Sequence, residues 1–535
     1  MAVDVLLFTG LAGYSHDTDF LTGEPIYETR GRTSGSYRLA TYLREECGLD
    51  VEVVDFMFSW TTEEIEEVIK SRIGPNTKLA GVGGLFMIHA PVIQHAFAYI
   101  KENYPHVTTC AGSQDVWSIS QVQNIDYYVS GYGELGVASI VKGNPIWKWD
   151  QIIEGAPKFR HIDCLNTKEY NAFPWTKLSI NYQDRDYILP HETLSMETSR
   201  GCKFACSYCN FPILGVKGDY TRSAEDFELD LKRNFDKWGT TDYIITDDTF
   251  NDYIEKIRKY ADVVQSLDFE PSFMGYIRAD LMTLRKHDVD ELIRMRFNSH
   301  LYGIESTNHQ SAKTIGKGGK PEIILPRILE AKQRFLKETG FYRGEMSFIW
   351  GLPYETPETM QKTLDWLDEN WVGEAVSMFQ LNIIKAGGIT RENDMSRNMH
   401  KYGYTIADPA TVTRVTDQFD EIFADPEISD YQKERIRSQM PNQNPDHPRF
   451  KIHTELWQNE HWDAISAWIE VYKNLFGHKR YYDRGIPAFN QGNWLSVGYT
   501  KQDMMKTFRE LPSMMNPPRE MVKKSIDEYK YKKLS

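Results

Sequence analysis

Residues 194–211 read Leu-Ser-Met-Glu-Thr-Ser-Arg-Gly-Cys-Lys-Phe-Ala-Cys-Ser-Tyr-Cys-Asn-Phe. Leu194 to Ser199 alternate apolar and polar side chains as a half-buried strand does, and Gly201 then turns the backbone into a loop carrying Cys202, Cys206 and Cys209. Three thiols on so short a loop suit ligation of one metal centre, because the loop aims its sulfurs at a common point while backbone N–H groups offset their negative charge. A structural zinc site normally closes its tetrahedron with four protein ligands, and the nearest histidine, His191, precedes the strand. A non-catalytic zinc scaffold and unligated core cysteines are the competing readings.

Composition narrows the class. A chain of 535 residues with 41% hydrophobic and 26% charged side chains predicts two or three globular domains. No apolar run approaches the ~18–20 residues of a membrane span, and Met-Ala-Val-Asp-Val-Leu-Leu-Phe lacks a basic leader. Outside the loop, Cys47, Cys110 and Cys164 are scattered, which argues against a disulfide framework and predicts a cytoplasmic protein. A formal net charge of −14 opposes a role in coating nucleic acid, and the lysines at 523, 524, 530, 532 and 533 read as a solvated tail.

Upstream of the loop, apolar strands (Val3–Phe8, Val51–Phe56, Leu79–Leu85, Val107–Thr109, Tyr127–Val129) alternate with amphipathic helices (Gly35–Glu46, Thr62–Ile73, His89–Asn103, Leu135–Lys142). This rhythm predicts an α/β, doubly wound, Rossmann-like parallel sheet over residues 1–145. Ligands of such sheets sit at the carboxyl ends of the strands. Those ends are Gly10 to Gly13, Asp55, Gly83-Gly84, Ala111-Gly112 and Gly131-Tyr132-Gly133-Glu134, so Gly84, Gly112, Gly131, Gly133 and Glu134 are candidate cofactor contacts. Residues 146–193, rich in proline and tryptophan, read as an ordered linker.

Downstream, Tyr243–Thr246, Phe273–Tyr276, His300–Ile304, Glu345–Trp350 and Ser377–Ile384 follow the cluster strand, each preceded by a helix-length segment. Six parallel strands with crossovers predict a partial (β/α)6 barrel over 194–395, with chemistry at the strand C-terminal ends. Residues 396–535 predict a mainly helical extension, with helices over Thr411–Phe423 and Thr454–Phe476 whose tryptophans pack on the barrel.

The Cys-x3-Cys-x2-Cys spacing with Tyr208 before its last cysteine resembles the cluster loop of the radical S-adenosylmethionine (radical SAM) superfamily. That resemblance implies a 4Fe-4S cluster on Cys202, Cys206 and Cys209, S-adenosyl-L-methionine (SAM) on the fourth iron, and an external electron donor. Asp247-Asp248-Thr249-Phe250 resembles the superfamily's Asp-Asp-x-Phe segment, where a carboxylate could hold a ribose hydroxyl or a substrate amine, or cap a helix. Arg278 resembles an arginine that faces the active site and pairs either with the SAM carboxylate or with Asp280. Gly303-Ile304-Glu305-Ser306 resembles a segment of cobalamin-associated members, which implies that Glu305 and Ser306 bind the methionine part of SAM. Phe348 to Thr356 resembles the Gly-Leu-Pro-x-Glu-Thr turn, which lays adenine against Ile349, Gly351 and Leu352.

Residues 34–56 and 129–134 are similar to the cobalamin-binding domain that precedes the barrel in one group of these enzymes, although no Asp-x-His-x-x-Gly motif is present. The resemblance implies a radical SAM enzyme acting on a small molecule, with cobalamin-dependent methyl transfer favoured. The alternative is a radical reaction of another outcome, such as cyclisation, oxidation or rearrangement, with a non-cobalamin N-terminal domain.

Overall fold

In a computed structural model the described residues are 2–9, 13–14, 28–83, 91–113, 124–146, 148–151, 159–164, 179–209, 221–285, 287–381, 383, 393–406, 424, 426, 457–472, 474, 488–511 and 516–535. Two parallel sheets organise them. In the first, β1 (Val5–Phe8), β2 (Val51–Val54), β3 (Leu79–Gly83), β4 (Thr108–Ser113) and β5 (Tyr127–Gly131) stand in the order β2-β1-β3-β4-β5. Helices Ser34–Glu45 and Glu134–Val141 cover one face through Tyr37, Leu43 and Val137. Helices Thr62–Arg72, Pro91–Asn103 and Arg519–Leu534 cover the other through Ile69, Phe97 and Ile526. Burial on both faces explains why these strands are continuous apolar runs.

The sheet does not stop where the sequence pattern does. Strands β6 (Lys148–Gln151) and β7 (Phe159–Cys164) fall within the stretch read as a linker, yet β7 pairs parallel with β5 and β6 pairs antiparallel with β7 at the edge. Charged residues such as Arg160 and Asp163 interrupt their apolar pattern, so only pairing with β5 identifies them as strands.

The second sheet is β8 (Leu194–Met196), β9 (Asp242–Ile245), β10 (Ser272–Ile277), β11 (Ser299–Glu305), β12 (Arg343–Trp350) and β13 (Ala375–Gln380), all parallel and in sequence order. Helices such as Ala224–Trp238, Ile254–Ser266, Pro321–Thr339 and Pro357–Asn370 make the crossovers. This is the expected open (β/α)6 barrel. Its amino-terminal mouth meets helix Ala488–Ser496: Gly492 lies against Ile244 and Thr193, and the Ser299 hydroxyl donates to Gln491 at 2.5 Å.

The C-terminal region departs from its sequence pattern twice. Trp457 lies in a two-residue strand paired with Thr405–Ile406, and the helix expected from Thr454 spans Ala464–Tyr472. A fully buried indole packed on the barrel outweighed continuation of the helical spacing. The helix expected over Thr411–Phe423 lies outside the described residues. The lysine-rich end is not a solvated tail either: Lys530 and Lys533 are buried, Lys533 pairing with Glu52 at 2.5 Å and Lys530 donating to the Ser59 carbonyl at 2.7 Å. Among the described residues no helix is long and apolar enough to cross a membrane.

Tyr529 fastens this last helix to the first sheet. Its hydroxyl accepts from the Asp55 N–H at 2.9 Å and donates to the Val53 carbonyl at 3.3 Å, while its ring meets Phe56 edge-on. Tyr529→Ala should destabilise the protein by about 3–5 kcal/mol, as loss of a buried aromatic does, and Tyr529→Phe by about 1 kcal/mol for the hydrogen bonds alone. Chemical denaturation of the two variants checks the ranking.

Candidate active site at the cysteine loop

The cluster strand ends at Met196 rather than Ser199 because the next residues are drawn to the neighbouring strand end. The buried Asp247 carboxylate accepts from the Thr198 and Ser199 N–H groups at 2.7 and 3.0 Å, and from both of their hydroxyls. Lys256 stands 3.4 Å away. Asp247 is therefore a clamp on the root of the loop. Gly201 follows at φ +80°, a conformation that glycine adopts without strain, and releases the chain toward the three half-buried cysteines.

Polar groups surround two of the thiols. Thr249 Oγ1 lies 3.6 Å from Cys202 Sγ, and burial pushes the Cys202 thiol up. Arg278 donates to Cys206 Sγ at 3.4 Å and to the Gly316 carbonyl at 3.2 Å, forms two bonds to Asp280 at 2.9 and 2.7 Å, and stacks on Phe204. Both readings of Arg278 meet in one side chain: it is paired with Asp280 and it faces the loop. Four of its five N–H groups are engaged in this way. Tyr208 reaches across from the loop and donates to Glu305 at 2.8 Å.

The first sheet touches this loop at β5. Arg200, next to Gly201, pairs with Glu134 at 2.5 Å and with Glu197 at 2.5 Å, and lies over the Tyr132 ring. Glu197 also pairs with Arg38 from the first helix. Burial alone would push the Glu134 carboxyl up, but Arg200 more than reverses this and holds it below the usual range. Glu134 is thus tied to the barrel through Arg200. Gly131, at φ +83°, and Gly133 flank Tyr132 at this junction. Gly112 serves strand packing, since a Cβ there would stand 3.2 Å from the Val129 carbonyl. Gly84 lies outside the described residues.

At the ends of β11 and β12 the expected SAM contacts divide. Glu305 keeps a strained φ of +64°, beside a register shift after Gly303, and lies 3.2 Å from Lys317. Ser306 donates to Glu355, whose carboxyl burial pushes up. Gly351 is occupied from outside: at φ +87°, its Cβ position would fall 2.3 Å from the Trp457 ring. Trp457 donates to the Leu381 carbonyl at 2.9 Å, and Leu352 is fully buried. The glycine in this turn therefore makes room for a tryptophan of the C-terminal region, and only Ile349 of the three expected adenine contacts is half-exposed. The sequence motifs missed Arg200, Thr249, Lys317 and Trp457; the glycine run Gly316-Lys317-Gly318-Gly319 was the one available signal for Lys317.

Asp248 differs from its neighbour. Its carboxylate has no hydrogen-bond or ion-pair partner among the described residues, and burial, then the adjacent Asp247, raise its pKa to about 7. Adjacent carboxyls in such unlike surroundings are suited to unlike tasks.

Among the described residues no three His, Cys, Asp or Glu side chains converge closely enough to hold a single metal ion. A hydroxyl stands beside one thiol of the loop and a guanidinium donor beside another, the kind of hydrogen-bonding groups that the sulfurs of an iron–sulfur cluster take.

Residues 196–367 match the Radical SAM superfamily. An uncharacterized methyltransferase of Pyrococcus horikoshii is 24% identical over 361 residues, covering 63% of this chain and 73% of that protein. The anaerobic magnesium-protoporphyrin IX monomethyl ester cyclase of Synechocystis is 24% identical over 51% of this chain and 57% of its own. Among solved structures, the radical SAM methyltransferase TsrM of Kitasatospora setae, with cobalamin and a [4Fe-4S] cluster bound, superposes with a TM-score of 0.60 at 15% identity, covering 99% of this chain and 100% of that one. At that identity the likeness is one of fold, and it spans both sheets. With the three-cysteine loop at the head of the matched segment, this chain carries a Radical SAM superfamily domain and is a radical SAM enzyme.

Proposed function

We propose that this enzyme holds a 4Fe-4S cluster on Cys202, Cys206 and Cys209, cleaves SAM there, and methylates a small molecule with the help of cobalamin held by the first sheet. The observation that carries the proposal is the junction at Arg200, which brings the β5 end of a Rossmann-like sheet directly onto the cysteine loop. When bound, the cluster and SAM supply a 5′-deoxyadenosyl radical, and cobalamin supplies a transferable methyl group.

The chain's own residues position and shield that chemistry. Three thiolates hold the cluster and leave one iron for SAM, while Arg278 and Thr249 offset charge on the sulfurs. Glu305 and Ser306 face the methionine part, with Tyr208 fixing Glu305 relative to the loop. Tyr276 and Phe379, 40% and 57% exposed on β10 and β13, give the substrate apolar walls, and Asp248 accepts from a substrate N–H or O–H. The electron comes from an external donor, and the enzyme works in the cytoplasm, where its thiols stay reduced.

A second reading keeps the radical step but not methyl transfer, as the likeness to a cyclase suggests. One observation favours it: Glu134, Arg200, Glu197 and Arg38 already fill part of the β5 end with their own ion pairs.

Anaerobic reconstitution should give about four irons per chain by cluster stoichiometry, and Cys202→Ala should abolish both the brown colour and SAM cleavage. Reconstitution with hydroxocobalamin should leave one corrinoid per chain by mass spectrometry; none would set methyl transfer aside in favour of the second reading. Asp248 gives a pH test. Its raised pKa means that the folded protein binds the extra proton between the ordinary carboxyl range and about 7, so this group's contribution to stability falls as pH rises through that window. Asp248→Asn should therefore melt above the wild type at pH 8, with the advantage shrinking toward pH 5.

A further inference from the structure

Two approaches to the cysteine loop are taken. At its root Arg200 ties it to the first sheet through Glu134, and on the proposed function the open mouth of the barrel holds SAM and substrate. A third side is thin. The Gly316 carbonyl lies 3.7 Å from Cys206 Sγ, and a Cβ on Gly316 would stand 3.3 Å from Cys206 Cα. Gly316 itself is exposed, as are Ala205 and Gly318, so small uncharged residues stand between this thiol and solvent.

Cations flank that side. Residues 306–321 hold Lys313, Lys317 and Lys320 and no carboxylate, in a chain whose formal net charge is −14. Lys317 turns inward to Glu305 at 3.2 Å, whereas Lys313 and Lys320 are exposed. The Ile315 carbonyl accepts from the Ser207 N–H at 3.0 Å, which fixes this segment against the loop. On the other flank the Met395 N–H donates to the Ser207 carbonyl at 2.9 Å, and helix Asp394–Arg397 with the turn after it presents Arg397 and Lys401 to solvent. Lys203 is exposed on the loop itself, between Cys202 and Cys206. The carboxylates nearby in sequence are Asp394, paired with Lys401 at 3.5 Å, and the exposed Glu322. Lys313, Lys320 and Arg397 have no carboxylate partner among the described residues.

We propose that this face is the docking surface for a small acidic one-electron carrier protein that reduces the cluster. The proposal rests on the radical SAM reading of the cysteine loop. Cleaving SAM consumes an electron, and electron transfer slows steeply with the thickness of protein between two centres, so the carrier seats where the covering is least. An uncharged centre at Ala205, Gly316 and Gly318 with a basic rim suits a transient contact, in which rim charges set the encounter rate and the orientation more than the affinity. The rim draws on three chain segments, which a partner of protein size can read at once, and the net negative charge of the whole chain disfavours other approaches for an acidic one. On contact one electron passes across: the carrier is oxidised by one equivalent, the cluster is reduced by one, and no bond is made or broken.

The test uses the full-length, cluster-reconstituted protein under anaerobic conditions and follows bleaching of the cluster after mixing with one of two reductants. These are an acidic flavodoxin in its hydroquinone form and the methyl viologen radical cation, which is small and needs no docking surface. Lys313→Glu with Lys320→Glu should slow reduction by flavodoxin about 10-fold or more at low salt and flatten its dependence on ionic strength, while viologen reduces the variant no more slowly than the wild type. Lys337→Glu with Lys506→Glu makes the same change of charge at the amino-terminal end of the barrel, where Lys337 precedes β12 and helix Lys501–Glu510 pairs with Asp242 at the start of β9 through Lys501 at 2.7 Å. That variant should slow flavodoxin less than about 2-fold, since screening confines charge effects to their neighbourhood. Flavodoxin rates equal in the wild type and the Lys313, Lys320 variant would overturn the docking surface. So would equal slowing by the two pairs of substitutions, equal slowing of both reductants, or a wild type that viologen reduces and flavodoxin does not. A wild-type protein that assembles no cluster would overturn the radical SAM reading itself.

Discussion

One buried carboxylate sets the geometry of the site. Asp247, at the end of β9, gathers two backbone N–H groups and two hydroxyls from Thr198 and Ser199, so the chain leaves the barrel at a fixed point before the cysteines begin. A loop bearing three mutually repelling thiolates has little intrinsic reason to hold one shape. Hydrogen bonds to a buried anion, worth about 1.5–3 kcal/mol each where a charge is involved, give it one. Lys256 and the Asp252 pair at 2.6 Å complete the buried network behind it.

From that root, charges radiate to both neighbours. Arg200 binds the first sheet through Glu134 and the barrel through Glu197, so any shift of one sheet against the other must break a buried pair next to Cys202. Breaking such a pair leaves an uncompensated charge and is far more costly than a surface bridge. Arg278 does the corresponding work on the far side, joining Cys206 to Asp280 and to the Gly316 loop. The cysteine loop is thus held at its root, at its first thiol and at its second by groups drawn from four separate strand ends.

The C-terminal region contributes support at a distance. Trp457 fills the space that Gly351 leaves open and Trp462 donates to the Glu355 carbonyl at 2.9 Å, so the turn after β12 is braced from outside the barrel. The last helix braces the first sheet through Tyr529 and Lys533. Residues far along the chain therefore stiffen both strand-end surfaces between which the proposed chemistry takes place.

Local pattern was enough for much of this. Apolar runs buried on both faces marked β1 to β5, alternation and spacing marked the six barrel strands, and the cysteine loop marked its own chemistry, because each signal lies within a few neighbouring residues. The edge strands β6 and β7, the burial of Lys530 and Lys533, and the strand at Trp457 were not legible, since each depends on a partner far away in sequence. Likewise, the sequence by itself determined which residue types stand at each strand end, but only the tertiary structure decided their tasks. Asp247 clamps the loop while the Asp248 carboxylate has no hydrogen-bond or ion-pair partner among the described residues, Arg278 joins Asp280 to the cysteine loop, and Gly351 yields to a tryptophan. Hydrogen-bond partners for a buried group come from whatever the fold packs beside it, and that is a property of three-dimensional neighbours rather than of sequence order.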